Sequence, residues 1–155
     1  MDLLSSVTGG NIIDQAFFKN TQFRIDSVVQ SVNNPASLKI GYIGNKLNSI
    51  ELGAQKINVN YFENLPYQKG INEIPVKFLP IRYLKVLEQG GISSTSLYNK
   101  LICQVIINNG NSRFELHDYV YEFDAQSRVT KITDTITFTT ASTSTQKVAI
   151  SVISY

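Results

Sequence analysis

The chain has 155 residues, a formal net charge of +2 and charged side chains at only 17% of positions. That length fits a single β-rich domain spanning 1–155, able to bury roughly two thirds of its unfolded surface without disulfides or metal. Acidic and basic residues are mixed along the whole chain, which argues against nucleic acid as a partner, because phosphate binding needs a concentrated basic face.

The opening "MDLLSSVTGGNIIDQ" has neither a charged n-region nor a sustained apolar run, so no signal peptide is expected in it. No run in the chain reaches the length of a membrane-spanning helix, and no transmembrane segment is expected. Residues 1–20 read as a loosely attached N-terminal segment. Gln22 to Val32 reads as a strand whose apolar phase changes near Ser27, which predicts a bulge or bend there. Ser37 to Gly53 is a hairpin, with Leu38, Ile40 and Tyr42 on one face and Gly44-Asn45-Lys46 at the turn. Lys56 to Phe62 continues the meander, with Ile57, Val59 and Tyr61 on a common face.

The middle of the chain breaks this pattern. Glu63 to Pro80 holds three of the four prolines, each of which removes a ladder donor, so 63–100 is expected to be an excursion from the sheet. Within it Pro80 to Gly91 has a proline in the first turn, Ile81, Leu84 and Leu87 on one stripe, and terminal glycines. These predict one short helix near residues 80–89. Ile92 to Lys100 is a polar linker back to the sheet.

Strands then resume. Leu101 to Ile107 pairs through Asn108-Asn109-Gly110-Asn111 with a long strand from about Arg113. Phe114 and Leu116 share one parity and Tyr119, Tyr121 and Phe123 the other, which predicts a register shift near His117–Asp118. In the last pair, Ile132, Ile136 and Phe138 alternate with Thr133, Thr135, Thr137 and Thr139, giving one apolar and one hydroxyl-lined face. The fold class is therefore mainly β: a curled antiparallel β-meander, as a roll or open barrel closing partly around the one helix. A compact sandwich is the alternative.

Two hairpins share a unit. "YEFDAQSRVTKIT" and "IGYIGNKLNSIE" each place an aromatic before the turn, Asp or Asn at it, a basic residue, and then apolar-x-x-Ile. Arg128-Val129-x-x-Ile132 corresponds to Lys46-Leu47-x-x-Ile50. The form Tyr-x-[Tyr/Phe]-Asp-x-x-x-Arg-[Val/Leu]-x-Lys-Ile, from Tyr121 to Ile132, resembles the YD-type hairpins of Rhs-like repeats. Such hairpins recur in secreted or lipid-anchored domains of unknown function from Bacteroidota. The larger layout is similar to those lipoprotein domains too: hairpins, then a Pro- and Tyr-bearing excursion ending in "GGISSTSLYNKL", then more hairpins. Ser127 stands where a glycine is common after the turn Asp. The resemblance covers little more than a tenth of the chain. It implies an exported β-domain at the cell envelope or outside the cell, in the periplasm or on the outer-membrane surface, with a lipid anchor outside this sequence. It transfers no catalytic residues.

No constellation for chemistry emerges, and no catalytic residue, cofactor site or metal site is assigned. Cys103 lies among apolar neighbours and reads as a small buried hydrophobe. His117 is the only histidine and reads as a strand residue with a solvent-facing or locally satisfied ring; Asp118 beside it points to the opposite face. Asp118, Glu122 and Asp124 share parity and could line a cation or sugar site, although a solvated strand face explains them as well. Gly9-Gly10 and Gly90-Gly91 lack the context of a phosphate loop. The tyrosines carry more weight: Tyr67, Tyr119, Tyr121 and Phe123 are the candidate contacts for a glycan, peptide or lipid ligand. The expected function is a non-enzymatic binding or structural domain of the bacterial cell envelope. The alternative is a carrier of a small hydrophobic ligand or lipid, with a cavity under the curled sheet. Oligomeric state is not set by the sequence.

Overall fold

The computed structural model describes residues 2–8, 11–19, 25–31, 37–44, 46–66, 68, 71, 100–110 and 112–155, with side-chain surroundings from Lys39 onward, Leu52 excepted. Among the described residues, ten strands follow one another in chain order: β1 (Asp2–Thr8), β2 (Asn11–Lys19), β3 (Ile25–Ser31), β4 (Ser37–Ile43), β5 (Lys46–Leu52), β6 (Gln55–Pro66), β7 (Lys100–Asn108), β8 (Phe114–Phe123), β9 (Val129–Thr139) and β10 (Ser144–Val152). Each pairs antiparallel with its neighbour in sequence, giving one uncrossed sheet that is not closed between β1 and β10 among the described residues. This is the curled meander expected from the alternation of apolar segments with turn residues.

Two boundaries differ from the sequence reading. Asp2–Thr8 and Asn11–Lys19, read as part of a loosely attached segment, form β1 and β2 of the sheet, with Thr8 opposite Asn11. The excursion begins later than Glu63, because β6 continues to Pro66, which lies opposite Lys100. Pro66 is the last residue of the strand, where a missing N–H costs the ladder least. The helix near 80–89 lies outside the described residues. The bulge near Ser27 is present: Phe18 faces Ser27 and Lys19 faces Ile25, leaving Asp26 as the extra residue.

The inner face of β4–β9 carries the core. Ile40, Leu47, Ile50, Ile57, Val59, Leu101, Ile102, Val105, Ile107, Tyr119, Tyr121, Val129 and Ile132 are buried together, with Tyr42, Tyr61, Phe62 and Leu65 packed against them. One spacing here is informative. Residues three apart on a regular strand point to opposite faces, yet Leu47 and Ile50 are both buried, and so are Val129 and Ile132. The register explains it. Tyr42 faces Leu47 while Gly41 faces Ser49, so Asn48 is an extra residue. Phe123 faces Val129 while Glu122 faces Lys131, so Thr130 is another. In both hairpins, apolar-x-x-Ile is the signature of a bulge placed just after the turn.

β8 corrects one expectation. No shift occurs at His117–Asp118; the irregularity is at Glu122/Phe123. Phe114, Leu116 and Val120 are on the outer face, and the inner face runs Glu115, His117, Tyr119, Tyr121.

The turn after β8 is built by Asp124. Its Oδ1 accepts the backbone N–H groups of Gln126 (2.9 Å) and Arg128 (2.8 Å), and its Oδ2 accepts Arg128 Nε at 2.7 Å. These donors, the Arg128 N–H foremost, hold the Asp124 carboxyl below its ordinary range. Ser127 has φ +60°, the left-handed conformation for which glycine is the usual residue. From the start of the excursion, Gln68 reaches this turn. Its Nε2 donates to Ser127 O (2.8 Å) and its Oε1 accepts from Val129 N (2.9 Å), so one side-chain amide takes the place of a strand residue. Tyr155 Oη donates to Val129 O at 2.8 Å, completing the pairing of that buried residue. Gln68→Ala is expected to cost about 1–3 kcal/mol, because it leaves the Val129 N–H without its acceptor. Urea unfolding of the variant beside wild type measures the loss.

Candidate functional site

A polar cluster sits on the otherwise apolar inner face. His117 lies opposite Ile136 on β9, and Asp134 is its diagonal neighbour, opposite Tyr119; diagonal pairs on one face are within reach of long side chains. His117 Nδ1 is 2.9 Å from Asp134 Oδ2 and 3.1 Å from Oδ1, and His117 Nε2 is 2.9 Å from Glu115 Oε1. His117 is 7% exposed and its ring stacks on Tyr119, with centroids 6.0 Å apart and planes inclined by 12°. A carboxylate only accepts, so a carboxylate at each nitrogen favours the ring with both nitrogens protonated, the imidazolium. Burial alone would discharge the ring. The hydrogen bond and charge of Asp134, followed by those of Glu115, outweigh it and raise the His117 pKa above its ordinary value.

This arrangement has definite chemical limits. Neither ring nitrogen is left to accept a proton from a nucleophile, as a general base must. The two carboxylates approach opposite edges of the ring, so the three groups do not converge on one point. Among the described residues no group of three or more His, Cys, Asp and Glu is arranged to hold a metal ion. His117 was expected in solvent or locally satisfied; it is satisfied on the inner face, locally by Glu115 and across the sheet by Asp134 of the next strand.

The aromatic candidates separate. Tyr119 and Tyr121 are core residues, and burial raises both phenol pKa values, aided at Tyr119 by the charge of Asp134. Tyr121 Oη donates to Ile102 O at 2.7 Å and its ring meets Phe62 edge to face at 5.9 Å. Phe123 shares their face by register but lies at the sheet end and is exposed. Tyr67 lies outside the described residues. The sequence reading missed Asp134, whose signal was its parity with Ile132 and Ile136: a carboxylate on an apolar face requires a partner.

The remaining polar groups are engaged locally. Cys103 is the extra residue of a bulge in β7, half-buried, its thiol pKa raised first by burial, which makes it a weak nucleophile. Asp118 points outward, as its adjacency to His117 required, and accepts Gln104 Nε2 at 2.8 Å; Gln104 Oε1 in turn accepts Asn60 Nδ2 at 3.0 Å. Glu122 pairs with Lys131 at 2.6 Å and Asp124 with Arg128. The three acids of common parity thus have separate partners.

No protein-family model matches the chain, and no curated protein matches it. Among solved structures it is similar to a porin-like protein from Bacteroides uniformis, with 14% sequence identity and a TM-score of 0.53. The similarity covers 92% of this chain and 60% of that one. At this identity the likeness is one of fold alone.

Proposed function

We propose that the chain is a non-enzymatic binding or structural β-domain of the bacterial cell envelope, akin to the secreted and lipid-anchored Bacteroidota domains that carry YD-type hairpins. The observation that carries the non-enzymatic reading is the closed state of the only histidine, with both nitrogens spent on carboxylates. The envelope setting is supported by the fold likeness to a protein named porin-like. The shared bulge after the turn, at Asn48 and Thr130, supports a repeated hairpin unit.

The sheet faces favour a module working in water over one forming the wall of a pore. Strands in contact with lipid place apolar residues outward and polar ones inward. At most positions from β5 to β9 the order is reversed, the outward Phe114, Leu116 and Val120 and the inward Glu115, His117 and Asp134 being among the exceptions. Glu51, Lys56, Asn60, Gln104, Asp118, Glu122 and Lys131 lie on the outer face, and the aliphatic core lies on the inner.

Fractionation tests the proposal: the whole gene product, expressed with its own upstream sequence in its own cells, is expected with the envelope markers. Recovery with cytoplasmic markers would overturn the location. Turnover of a hydrolysable substrate that disappears in His117→Gln would overturn the non-enzymatic reading.

A further inference from the structure

Both hairpins with the apolar-x-x-Ile spacing end their ladder to the following strand at the same place. β5 pairs with β6 from Leu52, opposite Gln55, to Ser49, opposite Asn58. β9 pairs with β10 from Thr139, opposite Ser144, to Lys131, opposite Val152. Ser49 and Lys131 each stand just past the extra residue of the bulge, Asn48 or Thr130. The buried residue before each bulge, Leu47 or Val129, thus lies beyond the end of that ladder. Its carbonyl still needs a donor.

The donor is the same in both. Tyr61 Oη donates to Leu47 O at 2.6 Å, and Tyr155 Oη donates to Val129 O at 2.8 Å. Tyr61 is three residues past Asn58 and Tyr155 three past Val152, in each case the last residue of its strand to pair with the hairpin. The basic residue of each turn then covers the ring: Lys46 Nζ lies 5.6 Å from the centre of Tyr61, and Arg128 Cζ 4.6 Å from that of Tyr155. Both distances are within cation–π range. Along the chain, acceptor and tyrosine are 14 residues apart in one hairpin and 26 in the other. β9 has 11 residues where β5 has 7, so sequence spacing conceals a match that strand pairing aligns.

We propose that β4–β5–β6 and β8–β9–β10 are two copies of one three-stranded unit, each closed by a tyrosine clasp from its third strand. The bulge brings two apolar side chains to one face at the expense of regular pairing. The clasp returns a hydrogen bond to the carbonyl before the bulge, and the cation over the ring holds the hydroxyl where it reaches that carbonyl. Bulge and clasp therefore form one device, with Lys46 and Tyr61 in the first copy and Arg128 and Tyr155 in the second. β7 joins the copies by pairing with β6 on one side and β8 on the other. The unit rests on the repeated hairpin described above and adds a strand to it. It is independent of cellular location and of substrate turnover, so amide exchange and fractionation can fail separately.

Amide hydrogen exchange of the full chain, followed by mass spectrometry, tests the clasp, because local opening is read hairpin by hairpin. Tyr61→Phe keeps the ring and removes the donor, and is expected to speed exchange over residues 46–50 about tenfold while 128–132 keeps its wild-type rate. Tyr155→Phe is expected to do the reverse. Lys46→Met should speed exchange over 46–50 in the wild-type background and add nothing in the Tyr61→Phe background. An unchanged rate in the hairpin whose tyrosine has lost its hydroxyl would overturn the proposal. So would equal acceleration of both hairpins by either tyrosine variant, the mark of a global loss of stability. An equal effect of Lys46→Met with and without the Tyr61 hydroxyl would overturn it too.

Discussion

Leu47→Ala is expected to lower the free energy of unfolding by about 2–5 kcal/mol, the cost of removing a fully buried leucine and leaving a cavity. Leu47 is the first inward residue after the β4–β5 turn and has no exposed surface. Its carbonyl accepts Tyr61 Oη at 2.6 Å, so its backbone is tied to the next strand while its side chain is fully buried, which leaves the site little room to collapse. Ile43, four residues earlier in the same hairpin, is exposed, and Ile43→Ala is expected within about 0.5 kcal/mol of wild type. In urea the Leu47 variant should show a lower midpoint at an unchanged slope. Equal losses in the two variants would contradict the placement of Leu47 in the core.

Asp134→Asn is expected to cost about 1.5–3 kcal/mol near pH 6, the usual range for a hydrogen bond to a charged group, and to flatten the dependence of stability on pH. The direction follows from the raised His117 pKa. Folding favours the protonated ring, so the cluster's contribution is complete below the unfolded value of about 6.5 and declines as pH rises through the folded value. Wild type should therefore lose stability as pH rises above about 6.5, the ordinary value of an unfolded imidazole. With Asn at 134 the largest favourable partner of the ring is neutral, and Glu115 alone opposes burial. Urea midpoints at several pH values read both effects. A wild-type profile that rises over this window would refute the imidazolium assignment.

The sequence made the strands of the meander legible because their apolar residues alternate and their turns carry Gly and Asn. Ile132, Ile136 and Phe138 do lie on one face of β9, with the threonines on the other. The apolar anchors of both hairpins were legible as a spacing, but the bulge that makes that spacing possible was not. On β8 alternation misled, since Phe114 and Leu116 suggest an inward phase while the inward face holds Glu115 and His117. A carboxylate–imidazolium pair can occupy apolar positions when its charges satisfy one another, and counting hydrophobes cannot register that. Asp134 is 17 residues from His117 and was recoverable by parity. Gln68 reaches residues 59 and 61 positions away, and no local pattern marks a side chain that will serve as a strand.

The supernumerary residues, Asn48 in one hairpin and Thr130 in the other, differ in kind and agree in position. What selects the side chains that enter the core is thus a residue count between turn and bulge, held constant while the letters vary. Shape encoded by counting survives nearly complete replacement of those letters, but a single deletion at either point would turn the rest of the strand inside out. Such a chain can drift far in sequence while its backbone stays put, which suits a fold shared over 92% of its length at 14% identity.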